Sequence, residues 1–227
     1  MKYTFKEIRE KDNNIEPILH LVLKPVIHSM VWLFSNFTRV TPNQLSFISL
    51  MFGLICAYCF IEGGFILGAI FYLLRYLFDA IDGMVGRLKE ITSKFGAFLD
   101  NYTGLWCNVT LIIGFGIGMY RITNNIMWFI IELPLFFLMM LHFVESTMAS
   151  RILGKDNYKK KVNSLLKYKI PVPLNTQDVI IIIFVFSSFW FALGWLEFIV
   201  ITIIILLLIK QIVWFFYYKN MLQKKGE

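Results

Sequence analysis

The chain has 227 residues, of which 58% are hydrophobic and only 16% charged, whereas a soluble domain carries about 25% charged residues. A soluble core of this size cannot bury so much apolar surface, so a soluble enzyme is excluded, and the long continuous apolar stretches favour membrane-spanning helices over a β-barrel. The net charge of +7 is what the basic loops of a membrane protein produce, so a nucleic-acid partner is not needed.

The N-terminal part of the chain, residues 1–40, is predicted to remain on the cytoplasmic side of the membrane. Its first fourteen residues are polar and carry charges of both signs. The following apolar stretch, 15–37, is interrupted by three polar sites: His20, Lys24-Pro25 and His28. A polar strip on an otherwise apolar helix is typical of an amphipathic helix in the membrane interface. Residues 1–40 are therefore assigned to a cytoplasmic N-terminus with such a helix, and residues 41–227 to a transmembrane domain.

The transmembrane domain contains six apolar stretches that are long enough to cross a bilayer. They lie at about 44–61, 65–82, 97–120, 126–150, 178–194 and 196–218. The loops after the second and fourth stretches hold ten basic residues, whereas the other three connections together hold one, Arg121. By the positive-inside rule, the basic loops and both termini face the cytoplasm. We therefore predict an all-α integral membrane protein of the inner (cytoplasmic) membrane, with six transmembrane helices and an N-terminal cytoplasmic interfacial amphipathic helix.

Carboxylates are concentrated where the second predicted span ends and the third begins. Asp79 and Asp82 share a helix face, and Asp100 lies at a similar depth on the next, antiparallel helix. Three carboxylates this close need a cation, and hard oxygen ligands favour Mg²⁺, Mn²⁺ or Ca²⁺. Three glycines beside them leave space for a ligand to approach the backbone: Gly83, Gly86 and Gly96. The pattern predicts a metal-held diphosphate in a cytoplasm-facing pocket; an ion pathway and simple helix packing are the alternatives.

The stretch from Asp79 to Asp100 resembles the signature of the CDP-alcohol phosphotransferase (CDP-alcohol phosphatidyltransferase) family, which reads D-x2-D-G-x2-A-R-x8-G-x3-D-x3-D. The segment Thr41–Leu45, at the start of the first span, is also similar to the usual entry of that family. The resemblance implies a membrane transferase with a CDP-alcohol donor, by analogy CDP-diacylglycerol, and a lipid or small polar acceptor. The phospho-alcohol moiety would pass to the acceptor, with release of CMP, in phospholipid or related biosynthesis.

The resemblance also implies roles for individual residues. Asp79, Asp82 and Asp100 would hold Mg²⁺ or Mn²⁺ on the donor diphosphate. The CDP moiety would lie against a set that includes the first two of these aspartates: Asp79, Asp82, Gly83, Gly86, Arg87, Gly96 and, more weakly, Asn43.

Two positions depart from the signature. Gly86 replaces an alanine, which removes one methyl group. Gly104 replaces the fourth aspartate, which in the family is a metal ligand and the presumed general base. A positioned base contributes about 10²–10⁴-fold to a reaction rate, so this replacement bears directly on whether the chain is an active enzyme.

Three explanations of Gly104 stay open. Glu145, which is predicted at a matching depth, is the leading candidate for a substitute catalytic base. Alternatively, the acceptor is already ionised, as a phosphate, phosphonate or carboxylate, and Arg75 and Arg151 bind it. The third explanation is a catalytically impaired protein that binds CDP-alcohols. Arg75 also has the spacing for an ion pair with Asp79.

A pair of glycines in the third predicted span, Gly114 and Gly118, has the small-x3-small spacing of close helix contacts. The spacing indicates either a contact between two helices of the chain or a homodimer.

Overall fold

A computed structural model describes residues 2–12, 18–153, 179, 181–192 and 194–223. This part of the chain is helical and contains no strand. Its elements, in chain order, are α1 (Phe5–Lys11), α2 (Ile18–Phe37), α3 (Pro42–Ile61), α4 (Phe65–Lys89), α5 (Lys94–Thr123), α6 (Met127–Leu153), a π-helical turn (Ile181–Val185), α7 (Ser187–Ala192) and α8 (Leu196–Gln223).

Three of the described helical segments are long and apolar enough to cross a membrane: Pro42–Ile61, Lys94–Thr123 and Leu196–Val213. Helix α4 is also long enough to cross a membrane, at 25 residues, but its second half carries several charged residues, among them Asp79 and Asp82. The structure thus supports a multi-pass membrane protein, and the number of six spans stays a prediction.

The predicted span at 178–194 is not one regular α-helix. Its described residues form the π-helical turn Ile181–Val185 and then the short helix α7. The indole Nε1 of Trp190 donates a hydrogen bond of 2.9 Å to the carbonyl oxygen of Ile182. A π-helical turn interrupts the regular hydrogen-bond ladder of an α-helix, and apolar patterning alone does not indicate such an interruption.

The N-terminal region contains two helices where the sequence predicts one. Helix α1 begins with a capping box, in which the Thr4 side chain and the Glu7 side chain each bond to the other residue's backbone N–H. The side chain of Asn36, near the end of α2, accepts hydrogen bonds from the backbone N–H of Lys2 and Tyr3, at 2.8 and 2.9 Å. The polar N-terminus is therefore folded back onto α2.

Helices α3, α4 and α5 form the centre of the bundle, with α3 packed extensively against both of the others. A Cβ atom at Gly114 of α5 would lie 2.7 Å from the carbonyl oxygen of Ala57 in α3, and one at Gly118 would overlap the carbonyl oxygen of Phe60. The glycine pair thus permits close contact between two helices of the same chain, and the homodimer stays a prediction.

Candidate active site

Three aspartates lie together where α4 ends and α5 begins. Asp79 and Asp82 belong to the last three turns of α4, and Asp100 to the second turn of α5. Asp82 lies within electrostatic range of both other carboxylates. The grouping that the sequence spacing predicts is therefore present, and we call these three residues together with Arg75 the carboxylate cluster.

Helix α3 closes one side of this cluster. Its start is set by the Thr41 cap, by Pro42 in the first turn and by Gln44, whose side chain completes a capping box. This places the hydroxyl of Ser46 against Asp82, and the hydroxyl donates a hydrogen bond to the buried carboxylate. A buried carboxylate needs such partners to offset its loss of hydration. The segment Thr41–Leu45, which resembles the family, thus sets the start of α3 and so the contact between Ser46 and the candidate metal ligand Asp82.

Arg75 is the positive member of the cluster. Its side chain is 4% exposed, and its Nη2 atom lies 3.6 Å from the Oδ1 atom of Asp79. The guanidinium also lies over the ring of Tyr72, 5.9 Å from the ring centroid. The hydroxyl of Ser49 donates to the Arg75 carbonyl oxygen at 3.1 Å, which ties this turn of α4 to α3. The ion pair that the sequence spacing allows is therefore formed.

The glycines around the cluster fall into two groups. A Cβ at Gly86 would lie 3.3 Å from the Cγ of Pro42, and one at Gly96 would lie 3.1 Å from the Oδ1 of Asn43. These two glycines permit the start of α3 to pack closely. By contrast, a Cβ at Gly83 or Gly104 would meet only the tip of an arginine. The distance is 3.3 Å to Nη1 of Arg87 for the first and 3.7 Å to Nη2 of Arg75 for the second.

Arg87 connects the carboxylate cluster to the N-terminal region. Its Nε atom donates a hydrogen bond of 3.1 Å to the carbonyl oxygen of Lys11. The guanidinium also interacts electrostatically with Asp12, Asp82 and Asp100. The N-terminal region thus contributes to the position of a signature residue, a contact that the sequence did not predict.

A second ionic group surrounds Asp12, whose side chain is only 1% exposed. Its carboxylate lies 3.5 Å from Nε2 of His20, 3.4 Å from Nζ of Lys24 and 2.9 Å from Nε2 of His28. These three residues recur every four positions along α2, so they share one face of that helix. We call the four residues the N-terminal ionic cluster. The spacing of four residues predicts that these side chains share a face of α2, but the sequence alone does not predict that Asp12 lies against that face.

Two predicted site residues belong to α6, Glu145 and Arg151. Their side chains lie outside the described residues, as do those of the basic loop that follows them. Their roles as substitute base and acceptor contact stay predictions.

The donor set of the cluster is chemically suited to a divalent cation, because its carboxylate oxygens are the ligands that Mg²⁺ and Mn²⁺ prefer. Among the described residues, no three His, Cys, Asp or Glu side chains are positioned to hold one ion. Asp79 is paired with Arg75 and Asp82 with Ser46 in this structure. The carboxylates thus suit a cation by their chemistry, but their described positions form no ion site, and these two pairings would compete with an ion.

Comparison with known proteins finds relatives that match part of the chain. Over 79 residues the chain is 33% identical to archaetidylinositol phosphate synthase of Pyrococcus horikoshii, a match that covers 35% of the chain and 42% of that relative. Over 95 residues it is 27% identical to the bifunctional IPC transferase and DIPP synthase of Thermococcus kodakarensis, covering 42% of the chain and 21% of that relative. The matches thus span less than half the length of these relatives.

The family comparison covers a much larger part of the chain. The family model for CDP-alcohol phosphatidyltransferase matches residues 39–209, from the residues just before α3 into α8. The match includes the whole carboxylate cluster and the α3 segment that packs against it. The chain therefore belongs to the CDP-alcohol phosphatidyltransferase family.

Proposed function

We propose that the chain is a membrane transferase that moves the phospho-alcohol moiety of a CDP-linked donor to an acceptor and releases CMP. The observation that carries this proposal is the group formed by Asp79, Asp82 and Asp100, in the family's spacing. The name archaetidylinositol phosphate synthase, borne by one relative, favours a lipid phosphate ester as the product. CDP-diacylglycerol is the proposed donor by analogy, and the biosynthesis of phospholipids or related lipids is the proposed context.

In the proposed reaction, an acceptor oxygen attacks the donor phosphorus, and the bond from that phosphorus to the CMP oxygen breaks. CMP leaves with the electron pair, and a hydroxyl acceptor gives up its proton. Asp79, Asp82 and Asp100 would hold Mg²⁺ or Mn²⁺, which supplies positive charge to the donor diphosphate. Arg87, which lies within electrostatic range of Asp82 and Asp100, and Asn43, whose side chain lies beside Gly96, would contact the CDP moiety together with Gly83, Gly86 and Gly96.

The proposed orientation of the protein in the membrane follows from the distribution of basic residues among its loops. The predicted six spans place the carboxylate cluster on the cytoplasmic side of the inner membrane, where a water-soluble CMP product is released directly. The predicted homodimer is not required by this chemistry, since all proposed donor contacts come from one chain.

Because position 104 is a glycine, the base that would be expected to take the proton of a hydroxyl acceptor is absent from that position. We propose Glu145 as the substitute base, or an ionised acceptor that needs no base and that Arg75 and Arg151 bind. The same glycine favours a second candidate function, the binding of CDP-alcohols without turnover.

The test is CMP release from a CDP-alcohol by the purified protein with Mg²⁺, against hydroxyl and anionic acceptors. Asp79→Ala is expected to lower the rate by more than about 100-fold, since even groups that only support a metal site contribute about 10–100-fold. The matched control is Glu197→Gln, which neutralises an exposed carboxylate of α8 and is expected to retain the wild-type rate.

The outcome also separates the two candidate functions. CMP release that depends on Asp79 supports the transferase, and its loss in Glu145→Gln supports the substitute base. Metal-dependent binding of the CDP-alcohol with no CMP release from any acceptor supports the binding protein instead. Binding and turnover that are both unchanged in Asp79→Ala would remove the basis of the proposal.

A further inference from the structure

The C-terminal half of α4, which carries part of the family signature, packs against the N-terminal region. Ile8 of α1 and Ile27 and Val31 of α2 share a buried hydrophobic cluster with this half of α4, including its residues Val85 and Leu88. The family match begins at residue 39, so α1 and α2 lie before it. The helix that carries the signature is therefore supported by a part of the chain that the family model does not cover.

The polar contact between these two regions is made by Arg87. Its Nε atom donates a hydrogen bond of 3.1 Å to the carbonyl oxygen of Lys11. Of the three carboxylates that interact electrostatically with its guanidinium, Asp12 has the strongest effect, ahead of Asp82 and Asp100. Within the described part of the chain, Arg87 forms no direct ion pair with any of them, and its buried Nη2 atom has no hydrogen-bond partner. The guanidinium is thus anchored through Nε on the N-terminal side, with an Nη donor unused.

We propose that Asp12 is a positioning residue of the proposed donor site, where the CDP moiety would lie, and that it acts through Arg87. Together with the carbonyl group of Lys11, Asp12 holds the guanidinium beside the carboxylate cluster and keeps its Nη donors available to the donor diphosphate. The inference rests on the proposed function, because it concerns how the donor is bound. It adds a residue that lies outside the family match.

The charges around Arg87 carry the first step of the argument. A guanidinium without another anchor would be drawn into a direct ion pair with Asp82 or Asp100, because opposite charges attract strongly in a low-dielectric region. Such a pair would occupy the donors that a diphosphate needs, since arginine binds phosphate through paired N–H groups. The negative charge of Asp12 opposes this collapse from the N-terminal side.

The hydrogen bond of Nε carries the second step. The five N–H groups of a guanidinium lie in one plane in a fixed arrangement, so a bond that fixes Nε also fixes the direction of both Nη groups. The Nη1 atom lies 3.3 Å from a Cβ built at Gly83, one of the glycines proposed to contact the CDP moiety. The N-terminal contact therefore holds the free end of Arg87 at the proposed donor site.

Asp12 is itself held in place, as a positioning residue must be. Its side chain is 1% exposed, and its carboxylate lies 2.9 Å from Nε2 of His28 and 3.4 Å from Nζ of Lys24. Both partners belong to α2, which packs against α4 through the shared hydrophobic cluster. Asp12 is thus fixed relative to the helix that carries Arg87.

The first experiment is calorimetry of CDP binding to the detergent-purified full chain with Mg²⁺. Asp12→Asn is expected to weaken CDP binding by about tenfold, the lower end of the effect of residues that orient the ligands of a metal site. The KM for the CDP-alcohol is expected to rise by a similar factor, with a smaller change in kcat. Glu10→Gln neutralises an exposed carboxylate of α1 and is the matched control, with wild-type affinity expected.

A double-variant cycle separates positioning from a general structural role. In the background of Arg87→Gln, Asp12→Asn is expected to change the affinity for CDP by less than about twofold, because the charge that Asp12 positions is already absent. A loss of structure in the N-terminal region would instead weaken binding by the same factor in both backgrounds.

The second experiment uses the wild type alone. Because coupling between two sites is reciprocal, CDP with Mg²⁺ is expected to slow amide hydrogen exchange in residues 2–12. Exchange in the connection 62–64, at the opposite end of α4, is the internal control and is expected to stay unchanged. This measurement does not depend on the folding of any variant.

Equal CDP affinities of folded Asp12→Asn and Glu10→Gln would overturn the inference, as would a tenfold loss that persists with Arg87→Gln. If a variant does not fold or bind measurably, the wild-type exchange decides: slower exchange of residues 2–12 with CDP supports the inference, and unchanged exchange overturns it. A wild type that does not bind CDP contradicts the proposed function as well. A wild type that binds CDP and releases CMP, with neither measurement showing the coupling, refutes this inference alone.

Discussion

The carboxylate cluster and the N-terminal ionic cluster each contain buried charged groups, Arg75 and Asp82 in the first and Asp12 in the second, but their charges are balanced differently. In the first, the single cation Arg75 pairs with Asp79 and lies within electrostatic range of Asp100, while Asp82 interacts with both of these aspartates. In the second, the single carboxylate Asp12 lies against a lysine and two histidines of α2. With neutral histidines, Asp12 and Lys24 compensate each other, whereas the carboxylate cluster retains surplus negative charge. A surplus of charge in a membrane protein calls for a ligand, which supports the proposed binding site at the carboxylate cluster and a structural role for the N-terminal ionic cluster.

Arg87 lies between the two clusters and interacts with both of them. It donates to the backbone of Lys11 on one side and lies within electrostatic range of Asp82 and Asp100 on the other. Disruption of the N-terminal ionic cluster is therefore expected to shift Arg87 and so to weaken binding at the proposed donor site.

The largest expected effect on stability comes from Arg75→Ala. This change leaves Asp79 without its buried partner, and breaking a buried ion pair destabilises a protein by about 3–5 kcal/mol. The matched control is Arg121→Ala, which breaks a pair with Glu62 whose side chains are 53% and 52% exposed. Exposed pairs contribute about 0–1 kcal/mol. Thermal unfolding of the detergent-purified protein measures both changes.

Addition of Mg²⁺ and CDP sharpens this prediction. A divalent ion bound to the carboxylates is expected to restore part of the stability lost in Arg75→Ala, because it supplies the missing positive charge. Equal destabilisation by the two substitutions would contradict the description of Arg75 as a buried partner of Asp79.

A smaller effect is expected for Asp12→Asn, which removes the negative charge of the N-terminal ionic cluster. Hydrogen bonds to charged groups contribute about 1.5–3 kcal/mol, and the loss is expected in that range. Limited proteolysis of the N-terminal region measures it locally, since the change detaches α1 without unfolding the bundle. Glu10→Gln, an exposed carboxylate of the same helix, is the control.

The effect of Asp12→Asn is also expected to depend on pH. Burial raises the pKa of Asp12, but the hydrogen bond with His28 and the charges of Lys24 and His20 outweigh it and hold this pKa below its ordinary value. The ionised form therefore stabilises the folded chain above the ordinary value of about 3.9, and this contribution is lost as pH falls toward the native pKa. The difference between wild type and Asp12→Asn is expected to shrink below about pH 4, and a difference that grows there would be inconsistent with the cluster.

The grouping of the three aspartates could be predicted from the sequence because it depends on local spacing. Asp79 and Asp82 share a face of one helix whatever that helix packs against, and Asp100 follows on the next helix after a short connection. The family signature then identified the group, since its spacing runs through Asp100. The same local reasoning predicted the pair of Arg75 and Asp79.

The rest of the site depends on how distant helices are rotated against each other. The approach of Arg75 to Gly104 joins residues of α4 and α5, and the contact of Asp12 with α2 joins residues separated by a loop. Spacing within one helix carries no information about either contact. For the same reason the spacing did not predict that the glycines at 86 and 96 lie against Pro42 and Asn43.

The smallest effect is expected for Gly86→Ala, which changes the charge of neither cluster. The new methyl group would lie 3.3 Å from Cγ of Pro42 and 3.5 Å from Cγ2 of Thr92, so its neighbours must move by a few tenths of an ångström. Against this cost, alanine is favoured over glycine in a helix by about 1 kcal/mol. The melting temperature is therefore expected to change by less than about 4 °C, with metal binding unchanged. Gly118→Ala is the control, because its methyl group would overlap the backbone of Phe60, which cannot yield as a side chain does. A loss of metal binding in Gly86→Ala would mean that close packing at α3 contributes to the site as much as its charges do.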